Sequence, residues 1–346
     1  MKKLLYISAL LLVAVGKTQA QDDKSISGAG SSFDNPLFSK MFYEYDKSKG
    51  VKVNYQSIGS GAGISKLIDK VIDFGASDAV MNKSQDSAAG GAVIHIPVTA
   101  GAVVICYNLP DVKGQINLTG DLIAEIFRGR ITKWNDKRIM AINKGISLPS
   151  YDIMVVHRSD GSGTTSIFTT YLTKVSEGWN SKVGKGSSVN WPAGQGGKGN
   201  EGVAGLVKQT PGAIGYIELA YAIQNHISYA KVQNKVGKFI NPTVETTTAA
   251  ANIDIPEDGK VSLTNTESTN GYPISGFSWV LIYKEMKYNG RSAAKATEMV
   301  NLLWWMIHDG QQYSAALNYA PLPKAAVKVG EKLLKTATYD HKKIMK

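Results

Sequence analysis

Residues 25–78 alternate strand and helix signals, and that alternation leaves few folds open. Ser25 to Ala29 reads as a strand. After Gly30-Ser31-Ser32, apolar Leu37, Phe38, Met41, Phe42 and Tyr45 recur at helical spacing through about Lys47. Val51 to Ser57 is a second strand, and Gly59-Ser60-Gly61-Ala62-Gly63 opens a helix with Ile64, Leu67 and Ile68 on one face. Val71 to Gly75 is a third strand, running into Ala76-Ser77-Asp78. Parallel strands need long crossovers and helices supply them, so this order predicts an α/β fold with a parallel sheet covered by helices.

In such sheets ligands gather at the carboxyl ends of the strands. Those ends carry Ser32, Ser60 and Asp78 here. Helix capping accounts for the two serines, but it gives no reason for a carboxylate in the third equivalent place. One edge of the sheet is therefore expected to bind something polar.

A second segment says what. Val155-Val156-His157-Arg158 is a β-branched run leading into Ser159-Asp160-Gly161-Ser162-Gly163-Thr164-Thr165-Ser166. That reads as strand, flexible turn and helix start, where free N–H groups and the positive end of the helix dipole attract an anion. Arg158 adds a planar fork of donors, and Ser162 and Thr164 add hydroxyls. A tight turn with an N-capping serine and a surface ion pair would use the same residues, but the lined sheet edge favours an oxyanion site.

The first twenty residues have the parts of a secretory signal peptide. Lys2 and Lys3 precede the apolar run Leu4 to Val15, and Thr18-Gln19-Ala20 offers small residues before a cut ahead of Gln21. The run is too short to span a bilayer, which takes roughly 20 apolar residues, and no Cys near the cut offers a lipid anchor. An exported protein with no membrane anchor of its own is expected. Without Lys2, Lys3 and Lys17 the formal charge falls from +11 to +8. The remaining basic residues are scattered rather than interleaved with aromatics, which argues against nucleic acid. The single Cys106 lies in an apolar run and reads as a core residue. The five histidines are isolated, so no metal site is expected.

Ala100 to Tyr107 and Ser278 to Tyr283 are two apolar, β-rich runs far apart in sequence. A second α/β region holding Arg158 lies between them, and a helix with Leu302, Leu303, Trp304, Trp305 and Ile307 follows. This predicts two lobes joined by two crossover strands, with a cleft between. Residues 21–106 and 278–346 form one lobe, and 107–277 form the inserted one. Residues 228–270, polar and irregular, are expected to form surface loops.

Five motifs in order resemble one family. Gly28-Ala29-Gly30-Ser31-Ser32-Phe33, Val53-Asn54-Tyr55-Gln56-Ser57-Ile58-Gly59-Ser60-Gly61 and Asp73-Phe74-Gly75-Ala76-Ser77-Asp78 resemble the phosphate-binding protein of the bacterial ABC phosphate importer. Arg158-Ser159-Asp160-Gly161-Ser162-Gly163-Thr164 and Pro211-Gly212-Ala213-Ile214-Gly215-Tyr216 do so too. The match runs from about residue 25 to the C-terminus and is weak across 228–270. It implies a two-lobed periplasmic-binding-protein fold, each lobe a mixed, mostly parallel sheet flanked by helices. It implies phosphate held by Ser32, the Phe33 amide, Ser60 and Asp78 from one lobe, and by Arg158, Ser162, Gly163 and Thr164 from the other, with Asp160 pairing with Arg158. It further implies a monomer without cofactor that delivers phosphate to membrane-embedded permease subunits. Ser32 stands where Thr is usual in the family, and Gly61 where a second Ser is common. The loop Trp191 to Asn200 also resembles the family; a structural role is favoured over a part in lobe closure or partner contact.

These residue types suit phosphate over sulfate. Phosphate near neutral pH carries at least one hydrogen to donate and sulfate carries none. An ionised Asp78 aimed into a dewatered cleft would accept that hydrogen, and against sulfate it would face a bare like charge. Arsenate is nearly isosteric and also protonated, so it stays open as a ligand, as does a scavenging or sensing role outside a transporter. A hydrolase is disfavoured. Gly59-Ser60-Gly61-Ala62-Gly63 lacks the spacing of a nucleophile elbow, and His157 in a strand points away from the face that Arg158 lines.

Overall fold

The computed structural model describes residues 24–345; the proposed leader peptide and its cleavage point lie outside them. The strands are β1 Ser25–Gly30, β2 Lys52–Ser57, β3 Phe74–Ser77, β4 Val93–Tyr107, β5 Asn117–Leu118, β6 Met154–Arg158, β7 Gln195–Gly197, β8 Ala213–Glu218, β9 Ser228–Tyr229, β10 Lys231–Gln233, β11 Phe239–Ile240 and β12 Ser275–Tyr283. Among the described residues, nine strands share one curled sheet in the order β2-β1-β3-β12-β4-β8-β6-β7, with β9 added on β4. β1 pairs parallel with β2 and β3, and β6 pairs parallel with β7 and β8, so each half carries the parallel core the sequence predicts. β12 and β4 run antiparallel between the halves. The fold is two-lobed, mixed α/β.

β4 joins the two. It pairs with β12 from Val93 to Ala102 and with β8 from Val103 to Tyr107. It is also longer than its apolar stretch from residue 100 suggests. The ladder to β12 slips once, because Ser278 opposes Thr99 while Trp279 opposes Pro97. Proline has no N–H to give a ladder, and such slips re-aim neighbouring side chains. Ser278 is the side chain at that slip, and its hydroxyl reaches the site.

Helices cover the sheet as their periodicity dictates. Helix Asn35–Lys49 buries Leu37, Phe38, Met41, Phe42 and Tyr45. Helix Ser60–Ile68 buries Ile64 and Leu67 on β1 and β3, whereas Ile68 is half-buried. Helix Ala293–Ile307 buries Leu302, Leu303 and Ile307 against β4 and helix Lys324–Leu334. Cys106 is fully buried, and burial pushes its thiol up to about 12, as befits an inert core residue. Among the described residues no helix is long and apolar enough to cross a membrane.

Three local expectations need correction. Ser32 and Ser60 do not cap their helices: the N-cap positions are Asp34 and Gly59, neither with a side-chain capping bond, which leaves both serine hydroxyls to the site. The third strand is Phe74–Ser77, not Val71 to Gly75. Lys70 turns the chain at φ 58° and Val71 is 63% exposed, so an apolar residue that reads as strand sits on the outside of a turn. Residues 228–270 are not irregular loops throughout. β5, β10 and β11 make a small separate sheet, and Thr243 and Thr246 form a capping box on helix Val244–Ala251. That helix buries Ala250 and Ala251, small residues whose contribution to packing is invisible to a search for apolar stripes. It packs against β4 and β12.

Candidate functional site

Three helix N-termini converge on one spot between the lobes: those of Ser60–Ile68, Gly163–Val175 and Gly199–Gln209. Each brings backbone N–H groups and a positive dipole end to an enclosed place. Ser162 caps the second helix by accepting from the Thr165 amide at 3.0 Å. Its hydroxyl is fully buried and keeps its hydrogen to donate.

Arg158 leaves the end of β6 and is 3% exposed. Its Nε and Nη2 donate to the two oxygens of Asp160 at 2.7 and 2.6 Å, which fixes the guanidinium plane. Nη1 donates to Thr164 Oγ1 at 3.3 Å. Burial alone would raise the Asp160 carboxyl, but the Arg158 bonds and charge and the Gly199 amide outweigh it and hold it below the usual range. His157, one residue back along the strand, stacks on Trp191 away from the site at 4.7 Å between ring centres. That placement removes a base from Ser60 and Ser162.

Asp78 follows β3 and is 4% exposed. Oδ1 accepts from Ser31 Oγ at 2.6 Å and Ser278 Oγ at 2.9 Å. Oδ2 is buried and accepts no hydrogen bond. It faces Gly163, where a Cβ would stand 2.4 Å from it. Burial pushes the Asp78 carboxyl up to about 6, against the pull of the two serines and Arg158.

The remaining expected residues meet across the cleft. Ser60 Oγ accepts from the Gly163 amide at 3.1 Å, and the Gly61 amide donates to the Gly161 carbonyl at 2.9 Å. Gly59, at φ +90°, leaves room for Asp160, whose Oδ2 would lie 2.3 Å from a Cβ there. Ser32 Oγ accepts from Asn200, and Tyr221 donates to the Ser32 carbonyl at 2.6 Å. The Phe33 amide turns aside, donating to Ser31 Oγ at 3.0 Å. So Ser32, Ser60, Asp78, Arg158, Ser162, Gly163 and Thr164 lie together, with Asp160 behind Arg158. An open cleft of about 480 Å³, lined in part by Ile167, Lys185, Lys260 and Phe277, adjoins Ser60 and Asp78.

Sequence reasoning misses Ser31, Asn200 and Ser278 as site residues. Asn200 donates to Ser32 Oγ from both its backbone and side chain and also to Thr164 Oγ1 at 3.2 Å. Its position just inside a helix after Gly196-Gly197-Lys198-Gly199 is a usable signal, since it repeats the glycine-turn-to-helix pattern at Gly163. Ser278 offers only a polar residue in a wholly buried strand. Chemically, the site presents donors on nearly every side and one bare carboxylate oxygen. It suits a small oxyanion that carries a hydrogen.

Comparison with known proteins agrees in kind. The PBP superfamily domain matches residues 15–303. The phosphate-binding protein PstS of Xylella fastidiosa is 45% identical over 315 residues, covering 89% of this chain and 85% of that one. PstS of Pasteurella multocida is 42% identical over 330 residues, covering 94% and 93%. Among solved structures, a phosphate-binding protein from Stenotrophomonas maltophilia superposes with a TM-score of 0.66 at 20% identity, covering 88% of this chain and 92% of that one. An ABC-type phosphate transport receptor from Vibrio cholerae superposes at 0.56 with 19% identity, covering 86% and 100%.

Proposed function

This chain belongs to the PstS phosphate-binding proteins of the PBP superfamily, and on that premise we propose that it captures inorganic phosphate between its lobes and delivers it to an ABC-type phosphate permease. The protein is a binding protein, not an enzyme, and takes no cofactor. The proposed lobes are residues 21–106 with 278–346, and 107–277.

One observation carries the ligand: the buried, unbonded Oδ2 of Asp78 amid donors from two lobes. Hydroxyls of Ser32, Ser60, Ser162 and Thr164 and the Arg158 guanidinium serve the phosphate oxygens, the Phe33 and Gly163 amides being spent on Ser31 Oγ and Ser60 Oγ, and Asp78 accepts its hydrogen. Asp160 neutralises Arg158, so attraction comes from helix dipoles and hydrogen bonds more than from net charge. Sulfate brings no hydrogen and meets Asp78 as a like charge in a desolvated place. A ligand held by both lobes favours the closed state by its differential affinity for it, and hinge closure around a ligand is the motion that periplasmic binding proteins exemplify. We place the protein in the periplasm, after cleavage near Ala20-Gln21, as a monomer.

Titration calorimetry on the protein from Gln21 onward, with phosphate, arsenate and sulfate in turn, tests this reading. Tight 1:1 phosphate binding with far weaker sulfate binding is expected. Sulfate binding as tight as phosphate would overturn it.

A further inference from the structure

Asp34 takes no part in the site described above, yet it is fully buried one residue after Phe33. Its Oδ2 lies 2.5 Å from Ser278 Oγ, and Ser278 Oγ lies 2.9 Å from Asp78 Oδ1. A hydroxyl has one hydrogen and cannot donate to two carboxylates. One of the two acids must supply the second hydrogen.

Which one follows from what surrounds each. Asp78 Oδ1 also receives the Ser31 hydroxyl, whose oxygen is already taken by the Phe33 amide, and Asp78 feels the Arg158 charge. Asp34 is the N-cap of helix Asn35–Lys49 and so has the positive end of that helix dipole beside it, but its side chain makes no capping hydrogen bond. Its Oδ1 is buried without a hydrogen bond, and among the described residues it has no ion-pair partner. The titratable groups facing it are Asp78 and Glu218 as acids, and Tyr55 and Tyr319 as phenols. Glu218 is itself buried with Oε1 unbonded. A negative charge on Asp34 would sit among acids with one shared hydroxyl and the helix end to hold it.

We propose that Asp34 stays protonated at neutral pH and, through Ser278, holds Asp78 as the ionised acceptor that selects protonated phosphate. The hydrogens run in one direction, from Asp34 Oδ2 to Ser278 Oγ and from Ser278 Oγ to Asp78 Oδ1. Ser31 donates to the same oxygen, so Oδ2 is left to accept from the ligand. Asp34 is a positioning residue: it touches no ligand and acts on the one residue that discriminates. Burial, and then the Asp78 charge, push its carboxyl far above the ordinary range, in the same sense. The selectivity part of this proposal rests on the phosphate reading above.

The test has two arms. Infrared difference spectra of the ligand-free protein at neutral pH, parent minus Asp34→Asn, should show a protonated-carboxyl C=O band from the parent. Absence of that band overturns the proposal. This arm needs no ligand, so it locates the proton whether or not the parent prefers phosphate, and a parent without that preference counts against the functional reading instead. In the second arm, Asp34→Leu and Ser278→Ala should each lose about tenfold in phosphate affinity, the effect of one hydrogen bond, with sulfate little changed. Asp34→Asn keeps a neutral donor toward Ser278 and should recover most of the Asp34→Leu loss. If Asp34→Leu binds phosphate more tightly than the parent, or phosphate and sulfate weaken alike, Asp34 is not the neutral donor.

Discussion

Asn200 donates twice to a single atom, Ser32 Oγ, at 3.1 Å from its backbone nitrogen and 2.9 Å from Nδ2. The Asn200 side-chain oxygen accepts from the Glu218 amide at 2.9 Å, so the second lobe holds this residue rigid while it grips the first. The contact thus belongs to closure rather than to the packing of either lobe.

Replacing Asn200 with Ala should therefore weaken phosphate without unfolding either lobe. The loss of buried hydrogen bonds, with the Glu218 amide left unpaired, predicts a cost of about 1–3 kcal/mol. Calorimetry gives the affinity, and small-angle scattering should show less compaction at the same phosphate saturation. Unchanged affinity would assign the loop around residues 191–200 a purely structural part.

Arg158→Ala removes a charge-assisted fork and strands Asp160 beside an anion. Truncating one member of a desolvated charge pair costs about 2–5 kcal/mol, so phosphate affinity should fall well over tenfold. Arg158→Lys keeps the charge but not the two-point grip on Asp160, and should recover only part of the loss. Affinity within about threefold of the parent for Arg158→Ala would reduce the segment to a turn.

Gly163→Ala tests the contact between the lobes. The new methyl would stand 2.4 Å from Asp78 Oδ2 and 2.6 Å from the Asp78 nitrogen, one of them backbone that cannot swing away. Overpacking of this kind costs about 1–3 kcal/mol, and here it falls on the closed state. Phosphate binding should weaken, with hydrogen-exchange protection of residues 59–61 and 160–165 lost on saturation. The ligand-free melting temperature should change little.

The Asp78 carboxyl, pushed up to about 6 by burial, gives a pH test with a definite sign. Its native value lies above its unfolded one, so protonation favours the fold. The stability this group contributes is present below about pH 4 and lost as pH rises through about 6. Asp78→Asn should then raise the ligand-free melting temperature at pH 7 while reducing the preference for phosphate over sulfate. In the parent, that preference should shrink as pH falls below about 6, because a protonated Asp78 can donate to a sulfate oxygen. Selectivity that stays flat from pH 8 to about 5 would remove Asp78 as the discriminator.

Local information was enough for much of this protein. Apolar spacing in 35–49 and 60–68 placed the buried faces of two helices, and β-branched runs placed the central strands. Arg158, Asp160 and the Ser162 cap could be read from a few consecutive residues, because their geometry is set by one strand end, one turn and one helix start. The sequence also determined the ligand class, since glycine-to-helix turns beside an Arg and hydroxyls carry their electrostatics wherever the chain places them.

Only the tertiary structure decided which hydroxyl meets which acid. Val71 looked like strand but lies outside a turn at Lys70, and the alanines of 244–251 pack without any apolar stripe to announce them. Ser32 and Asn200 are 168 residues apart, and Asp34 and Ser278 are 244 apart. Whether each pair meets depends on lobe closure and on a one-residue slip beside Pro97. Asp34 in the sequence is an ordinary acid after a phenylalanine. Its burial among Asp78, Glu218 and one shared hydroxyl makes its protonation a question, because the cost of a charge is set by the surroundings that folding assembles.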